Sequence, residues 1–547
     1  MKRELSRKQL EINNRMKVLK NNTKIFLPEW QKFKPYSLHS NTDIYYLDTC
    51  NKVFSALQKT ENKEVFQKLS VSEVKEMCCF LTCYFEDIMS QTNIWKAFTT
   101  KHYELYNKFV PFQNQEDYFE DEINLEDIQF LIWYFVSSKN ENSLIAPFNR
   151  YITEIVEAIY DVFDAKYDYA PENESLKKWY FLDPNETDYY KIRYYIEKVF
   201  LNNYLLNIDV SKSLKNQIEE TAELLKDETY ERALYAFKDQ FLLKQKSKLL
   251  ALGANEWAAY VAGKDHKLHN DLLNISKRID AKFLFKNKID NKYVYIEHIA
   301  SGKKFNLLKS SYDHHTILEK DSILTLGIIN WQNEWWFSGV AMISAFNANL
   351  ILDEKNSIIN RQAVAFLDDE KVTKKHLKGQ NDVFLKYNND FPVAFLKKKE
   401  INDFVKNFYT YYNKSLNLSK NEIEKSNNRA KKEGLQVEKN KNNFEFEDDF
   451  ETAIIYFNPN SGIEIYFDIC SVLKLKSNPY FNKEDFLNDN LGLLMNDFYT
   501  TEFTRYCYDL NIDRLPFVKI FSQNELDFLL RFFKNNKYKT IPNQTQI

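Results

Sequence analysis

The sequence predicts an α+β fold: an all-helical N-terminal half, a small β-barrel-like unit in the middle, and a hairpin-plus-helix C-terminal domain. Three observations predict it. All nine glycines (Gly253, Gly263, Gly302, Gly327, Gly339, Gly379, Gly434, Gly462 and Gly492) lie after residue 252. Glycine fills the φ > 0 positions of hairpins and bulges at the lowest steric cost, so a long stretch without it favours helices joined by Asn, Asp and Pro turns. Near Phe283 the apolar residues change from a helical period to alternation, as strands require. Finally, 547 residues with 44% apolar content exceed what one hydrophobic core organises, so the chain is multidomain. The expected division is a helical domain over 1–282, a small β domain over 283–350, and a hairpin and helix over 351–412. A polar linker or solvated helix over 413–443 and an α+β C-terminal domain over 444–547 complete it.

The elements follow in order. Ser70-Val71-Ser72-Glu73 is a capping box, and the apolar positions Val74, Met77, Cys78, Leu81, Tyr84, Phe85 and Ile88 continue it as one helix. Ile152, Ile155, Val156, Ile159 and Phe163 form a second stripe. Asp183-Pro184-Asn185-Glu186 reads as an N-cap, a first-turn proline and an acid, opening a helix with Ile192, Tyr195, Ile196, Val199 and Phe200 on one face. Lys292 to Ile299 reads as a strand, Ala300 to Lys303 as a turn and Lys304 to Leu308 as its partner. A hairpin runs from Ile323 to Met342 and turns at Gln332-Asn333. Ile323, Ile329, Trp331 and Trp336 fall on one side of it, and Leu324, Leu326, Ile328, Trp335 and Phe337 on the other. Both faces being apolar, the pair is expected to curl into a barrel or lie between two layers. Asp382 to Tyr387 and Phe391 to Leu396 suggest another hairpin around Asn388-Asn389-Asp390. Asn413 to Asn443 holds eight basic and four acidic residues with no apolar period. Thr452 to Phe457 and Gly462 to Ile469 pair across Asn458-Pro459-Asn460-Ser461. The last helix opens at Ser522-Gln523-Asn524-Glu525 and turns Leu526, Leu529, Leu530 and Phe533 inward.

Composition excludes several classes. The 75 basic and 78 acidic residues nearly cancel, which removes a dedicated DNA-coating protein. The longest apolar block, Phe130 to Val136, is far shorter than a membrane span, and no association with membrane is expected. The first residues alternate charged and apolar side chains without the apolar core of a signal peptide, so a soluble cytoplasmic protein is expected. Six cysteines in so long a chain suggest reduced thiols rather than a disulfide framework. No Gly-rich phosphate cradle and no Gly-x-Ser-x-Gly elbow occurs, and no cofactor is expected.

Several stretches carry a resemblance. Phe26 to Tyr36 followed by Thr42 to Leu47, then Cys78-Cys79-Phe80-Leu81 with Tyr84 to Ile88, then Tyr169-Ala170-Pro171-Glu172-Asn173, are similar to an uncharacterised Bacteroidetes family. That family is a domain of unknown function, number 3843. The resemblance implies a bacterial cytoplasmic protein and supplies no catalytic residues.

Residue types narrow the chemistry. Asp313-His314-His315 sets two imidazoles and a carboxylate on one loop, the donors of a borderline metal ion. No third and fourth ligand stands at a matching spacing, so a solvated loop is expected and no metal site is assigned. His266 and His269, flanked by Asp265 and Asp271, share a helical face but lack partner carboxylates. Cys78, Cys79 and Cys83 lie in a core-rich helix, where cysteine acts as a small hydrophobe. Glu86, Asp87, Asp161 and Asp164 are the carboxylates available to a carboxylate-dependent hydrolase. Charge is segregated along the chain. Pro111 to Tyr190 holds 18 acidic and 5 basic residues, whereas Phe241 to Ser310 holds 14 basic and 6 acidic. A basic segment beside a Trp-rich barrel suits RNA or single-stranded DNA, with Lys303, Lys304, Trp331, Trp335 and Trp336 as contacts. The expectation is an intracellular binding or scaffolding protein, non-enzymatic, with an unidentified protein partner. Single-stranded nucleic-acid binding and carboxylate-dependent hydrolysis are the alternatives.

Overall fold

The computed structural model describes residues 24–59, 69–113, 118–140, 143–148, 150–224, 230–288, 291–312, 319–368, 370–432 and 450–538. The chain divides into two compact units, Met1–Ile275 with Gln523–Asn536, and Ser276–Ser522 with Lys537–Ile547.

Among the described residues before Ser276 there are helices and no strand, only one isolated bridge between Lys246 and Gly253. Before Gly253 the turns manage without glycine. Gln91, Asn93, Asn107, Phe112, Asp121, Leu250 and Ala251 take the left-handed conformation instead. The helix Val71–Ser90 runs through the core. Its capping box forms as expected, with the Glu73 amide donating to Ser70 Oγ at 3.3 Å and the Ser70 amide to Glu73 Oε2 at 2.7 Å. Apolar residues line nearly all its faces, as befits a helix enclosed by others. Phe80 packs against Tyr134 and Phe135 of the helix Leu125–Lys139, and Tyr84 meets Trp95 edge-on.

Two expectations are corrected in this unit. The helix expected at Asp183 begins at Tyr189, capped by Asp188. Asp183 Oδ1 accepts the Asn185 amide at 2.9 Å and Glu186 Oε1 accepts those of Thr187 and Asp188, so the acids close turns. Short acceptors compete for local backbone N–H groups in this way. The last helix, Gln523–Phe533, packs in this unit rather than in a C-terminal domain. It buries Phe528, Leu529, Leu530 and Phe532, while Leu526 and Phe533 stay half-buried. Phe528 lies against His102, Phe112, Phe130 and Trp133. An aromatic face one residue round the helix from the aliphatic one decides the docking.

The second unit opens with a closed barrel of β1 (Ile279–Lys288), β2 (Tyr293–His298), β3 (Lys304–Leu308), β4 (Ile323–Trp331) and β5 (Glu334–Ser344). The first strand starts at Ile279, before the period change at Phe283. Strand order is β1-β2-β3-β5-β4, closed by β1 against β4; only β3 and β5 are parallel. This is the five-stranded Greek-key arrangement of OB barrels. Gln332 (φ 48°) and Asn333 (φ 66°) make the tight β4–β5 turn, as a two-residue hairpin loop requires. Leu324, Leu326, Ile328 and Phe337 fill the interior with Phe283, Ile296, Phe305 and Leu307, and Val364 and Phe366 join them. The opposite face of the hairpin is apolar because it too is covered. Ile323, with Leu284 and Ile299, meets Leu350 and Ile351 of the helix Ala348–Asn356.

Beyond the barrel, the hairpin expected at Asp382 to Leu396 does not form. Residues 382–387 end the helix Glu370–Tyr387, and β6 (Val393–Lys397) pairs antiparallel with β7 (Thr452–Asn458). Asn389 and Asp390 do adopt φ > 0, but as a helix C-cap: the Asp390 amide donates to the Leu385 carbonyl at 2.7 Å. The expected hairpin at Asn458 to Ser461 is present, with β8 (Gly462–Phe467) on β7. Phe384, Ile401, Val405, Phe408, Ile455 and Phe457 form the core between this sheet and its helices. Within the polar stretch, Lys420–Lys432 is a helix, and residues 433–443 lie outside the described residues. Among the described residues no helix is long and apolar enough to cross a membrane.

Candidate functional site

Strands β2 and β3 build one open face of the barrel. Their register sets Tyr293 opposite Leu308, Tyr295 opposite Asn306 and Glu297 opposite Lys304. Alternation then turns Val294, Ile296, Phe305 and Leu307 into the barrel. Tyr293, Tyr295 and Glu297 stay half-buried outside, beside the exposed Lys304 and Asn306. Two residues along a strand separate the tyrosines by roughly 7 Å on the same side. Cations flank both rings. Lys292 Nζ lies 4.8 Å from the Tyr293 ring centre, and Lys304 Nζ 6.0 Å from that of Tyr295. Lys292 Nζ also donates to Glu334 Oε1 at 2.8 Å, and Tyr293 Oη donates to the same oxygen at 2.9 Å. The face offers aromatic surface, ammonium groups and an amide. That set can stack planar rings and hold anions.

The residues expected from sequence are distributed differently. Lys304 is on this face, while Lys303 is in the preceding turn and paired with Asp368. Trp331 is 1% exposed and cannot stack a ligand. Trp335 turns toward the interior, edge-on to Phe305 at 4.9 Å. Trp336, half-buried, pairs with Ile329 across β4. The three tryptophans therefore make no common platform, because hydrophobic bodies of that size are used in packing. Tyr293, Tyr295 and Lys292 were missed. Their signal is the alternation Tyr293-Val294-Tyr295-Ile296, in which the aliphatic residues claim the interior.

Asp313, His314 and His315 lie outside the described residues. His269 Nδ1 is 2.8 Å from the Ala259 carbonyl, joining two helices, and His266 Nε2 is 3.2 Å from that of Leu182, joining two loops. Among the described residues no group of three or more His, Cys, Asp or Glu side chains could hold a metal ion. Cys78, Cys79 and Cys83 are buried and free.

The carboxylates separate into two kinds. Asp161 and Asp164 are exposed on the helix Arg150–Tyr167. Glu86 and Asp87 are buried and line a cavity of about 10 Å³ with Lys34, Cys83, Tyr180 and Tyr204, the room one water molecule needs. Lys34 donates to Glu86, with side chains 1% and 0% exposed, and its ammonium sits 4.0 Å from the Trp30 ring centre. Burial pushes the Lys34 ammonium below its ordinary pKa. Asn173 Nδ2 donates to Glu86 Oε1 at 2.7 Å and to Tyr36 Oη at 2.9 Å. Asp87 accepts from Thr92 Oγ1, from the Ile94 and Trp95 amides at 3.3 and 2.7 Å, and from Tyr204 Oη at 2.9 Å. It thereby caps the helix Ile94–Tyr106 from a distance. Burial raises its pKa against those hydrogen bonds, and it pushes the Cys83 thiol up to about 12, away from a nucleophilic thiolate. These carboxylates have structural partners on their oxygens. The stretches carrying the family resemblance converge here: Lys34 and Tyr36 from the first, Glu86 and Asp87 from the second, Asn173 from the third.

No curated protein and no solved structure matches the chain. A family model does match, over residues 24–289, which covers the buried cluster and ends just after β1, before Lys292. Over residues 24–289 the chain thus matches the family described as protein of unknown function, DUF3843.

Proposed function

We propose that this is a bacterial, cytoplasmic, non-enzymatic binding protein whose barrel carries single-stranded nucleic acid on the β2–β3 face. One observation supports the reading most: Tyr293 and Tyr295 stand side by side outside a Greek-key barrel, flanked by Lys292 and Lys304. Base–aromatic stacking contributes about 1–3 kcal/mol per base, and lysines beside it track the backbone. The test is fluorescence anisotropy of a labelled oligothymidine and oligouridine of about 15 nucleotides with the full chain. Binding should be salt-sensitive, and Tyr293→Ala with Tyr295→Ala should weaken it at least tenfold by about 1–3 kcal/mol per ring. Absence of binding at low salt ends the reading.

A second reading, an interaction scaffold with a basic protein partner, has its own support. Glu154, Glu157, Asp161, Asp164 and Asp168 are exposed along the helix Arg150–Tyr167 and just after it, at spacings that keep them on one face. Pull-down from lysate with and without nuclease separates the two. A scaffold keeps its partner after nuclease, and a nucleic-acid binder loses it.

A further inference from the structure

We propose that Glu334 is a built-in competitor for phosphate on the β2–β3 face, an inference that rests on the nucleic-acid reading above. Glu334 is the first residue of β5, directly after the tight turn at Gln332-Asn333, so its backbone is held at the rim of the face. One of its oxygens, Oε1, receives both the Lys292 ammonium at 2.8 Å and the Tyr293 hydroxyl at 2.9 Å. An ammonium and a phenol converging on one anionic oxygen is the donor set that a phosphodiester oxygen would take. The pair is open to solvent, with side chains 58% and 31% exposed. An exposed pair of this kind is weak and exchangeable. A backbone phosphate can therefore replace the carboxylate at Lys292 while the adjacent base stacks on Tyr293. Until it does, Lys292 contributes little to the attraction. Lys304 stands apart from this contact, over Tyr295, so the two cations of the face differ in readiness.

The experiment is a double-mutant cycle of Glu334→Gln and Lys292→Met, read by oligothymidine anisotropy across a salt series with the full chain. Glu334→Gln should tighten binding by up to about 5-fold, the size of an exposed ion pair. The gain should disappear on the Lys292→Met background, because the competitor acts through that ammonium. Both substitutions are at exposed or half-exposed side chains, and equal thermal midpoints check that the fold is unchanged. If wild-type protein binds but Glu334→Gln gives no gain, or the same gain without Lys292, the competitor is refuted and the nucleic-acid reading stands. If neither wild-type nor Glu334→Gln protein binds at low salt, both are overturned.

Discussion

Two charged pairs of the helical unit lie inside it, whereas the pairs made by Lys292 and Lys303 of the barrel lie at its surface. Lys34 with Glu86 and Arg193 with Asp239 are almost wholly shielded from water. Lys292 with Glu334 and Lys303 with Asp368 are open to it. A buried pair that loses one member leaves an uncompensated charge in a low-dielectric interior. An exposed pair that loses one is rehydrated at little cost. The same residue types therefore brace the fold in one region and remain available to a ligand in the other.

The sharpest way to break the comparison is Glu86→Ala. It leaves Lys34 buried without its carboxylate and should destabilise the protein by about 3–5 kcal/mol, read as the denaturant midpoint. Glu86→Leu with Lys34→Met should recover most of that loss, because apolar replacement of a whole buried pair is neutral or stabilising. A barrel counterpart is Trp331→Ala. Emptying so buried a site should cost about 3–5 kcal/mol, whereas Tyr295→Ala should leave stability within about 0.5 kcal/mol and act on binding.

The pH dependence should show two opposing slopes in the helical unit. Burial lowers the His102 pKa from 6.5 to about 4, so the ring stays neutral in the fold and the unfolded chain takes the proton first. Its contribution is present above pH 6.5 and lost as pH falls toward 4. Burial raises Asp127 from 3.8 to about 7, even though Tyr84 donates to it at 2.7 Å. That contribution is present below pH 3.8 and lost as pH rises through about 7. Between pH 4 and 6.5 the two oppose one another. Asp127→Asn should therefore uncover a stability that climbs with pH in that window, measured by thermal midpoint. A similarly small effect on stability is expected of Lys303→Ala, about 0–1 kcal/mol, since it removes only an exposed pair with Asp368.

Much of the architecture was legible in the sequence because local rules determine it. The absence of glycine before residue 253 pointed to helices, and Gln332-Asn333 between apolar strands pointed to the barrel's tightest hairpin. Where two structures use the same local conformation, the sequence misled. Asn389 and Asp390 are left-handed whether they turn a hairpin or end a helix, and only the pairing of β6 with β7 decides. The candidate face was half legible. With both sides of β4 and β5 apolar, alternation could not tell which tryptophans were covered, and the more weakly apolar Tyr293 and Tyr295 were passed over. Lys34 and Glu86 stand 52 residues apart. No spacing rule joins such a pair before the helices pack.

Hydrogen exchange of the full chain, with and without oligothymidine, tests the central claim most directly because it reads both regions in one experiment. Slowed exchange across 293–308 and at the 332–336 rim, with 150–168 unchanged, is the predicted result. Protection at the acidic helix instead, or none anywhere at low salt, would contradict it.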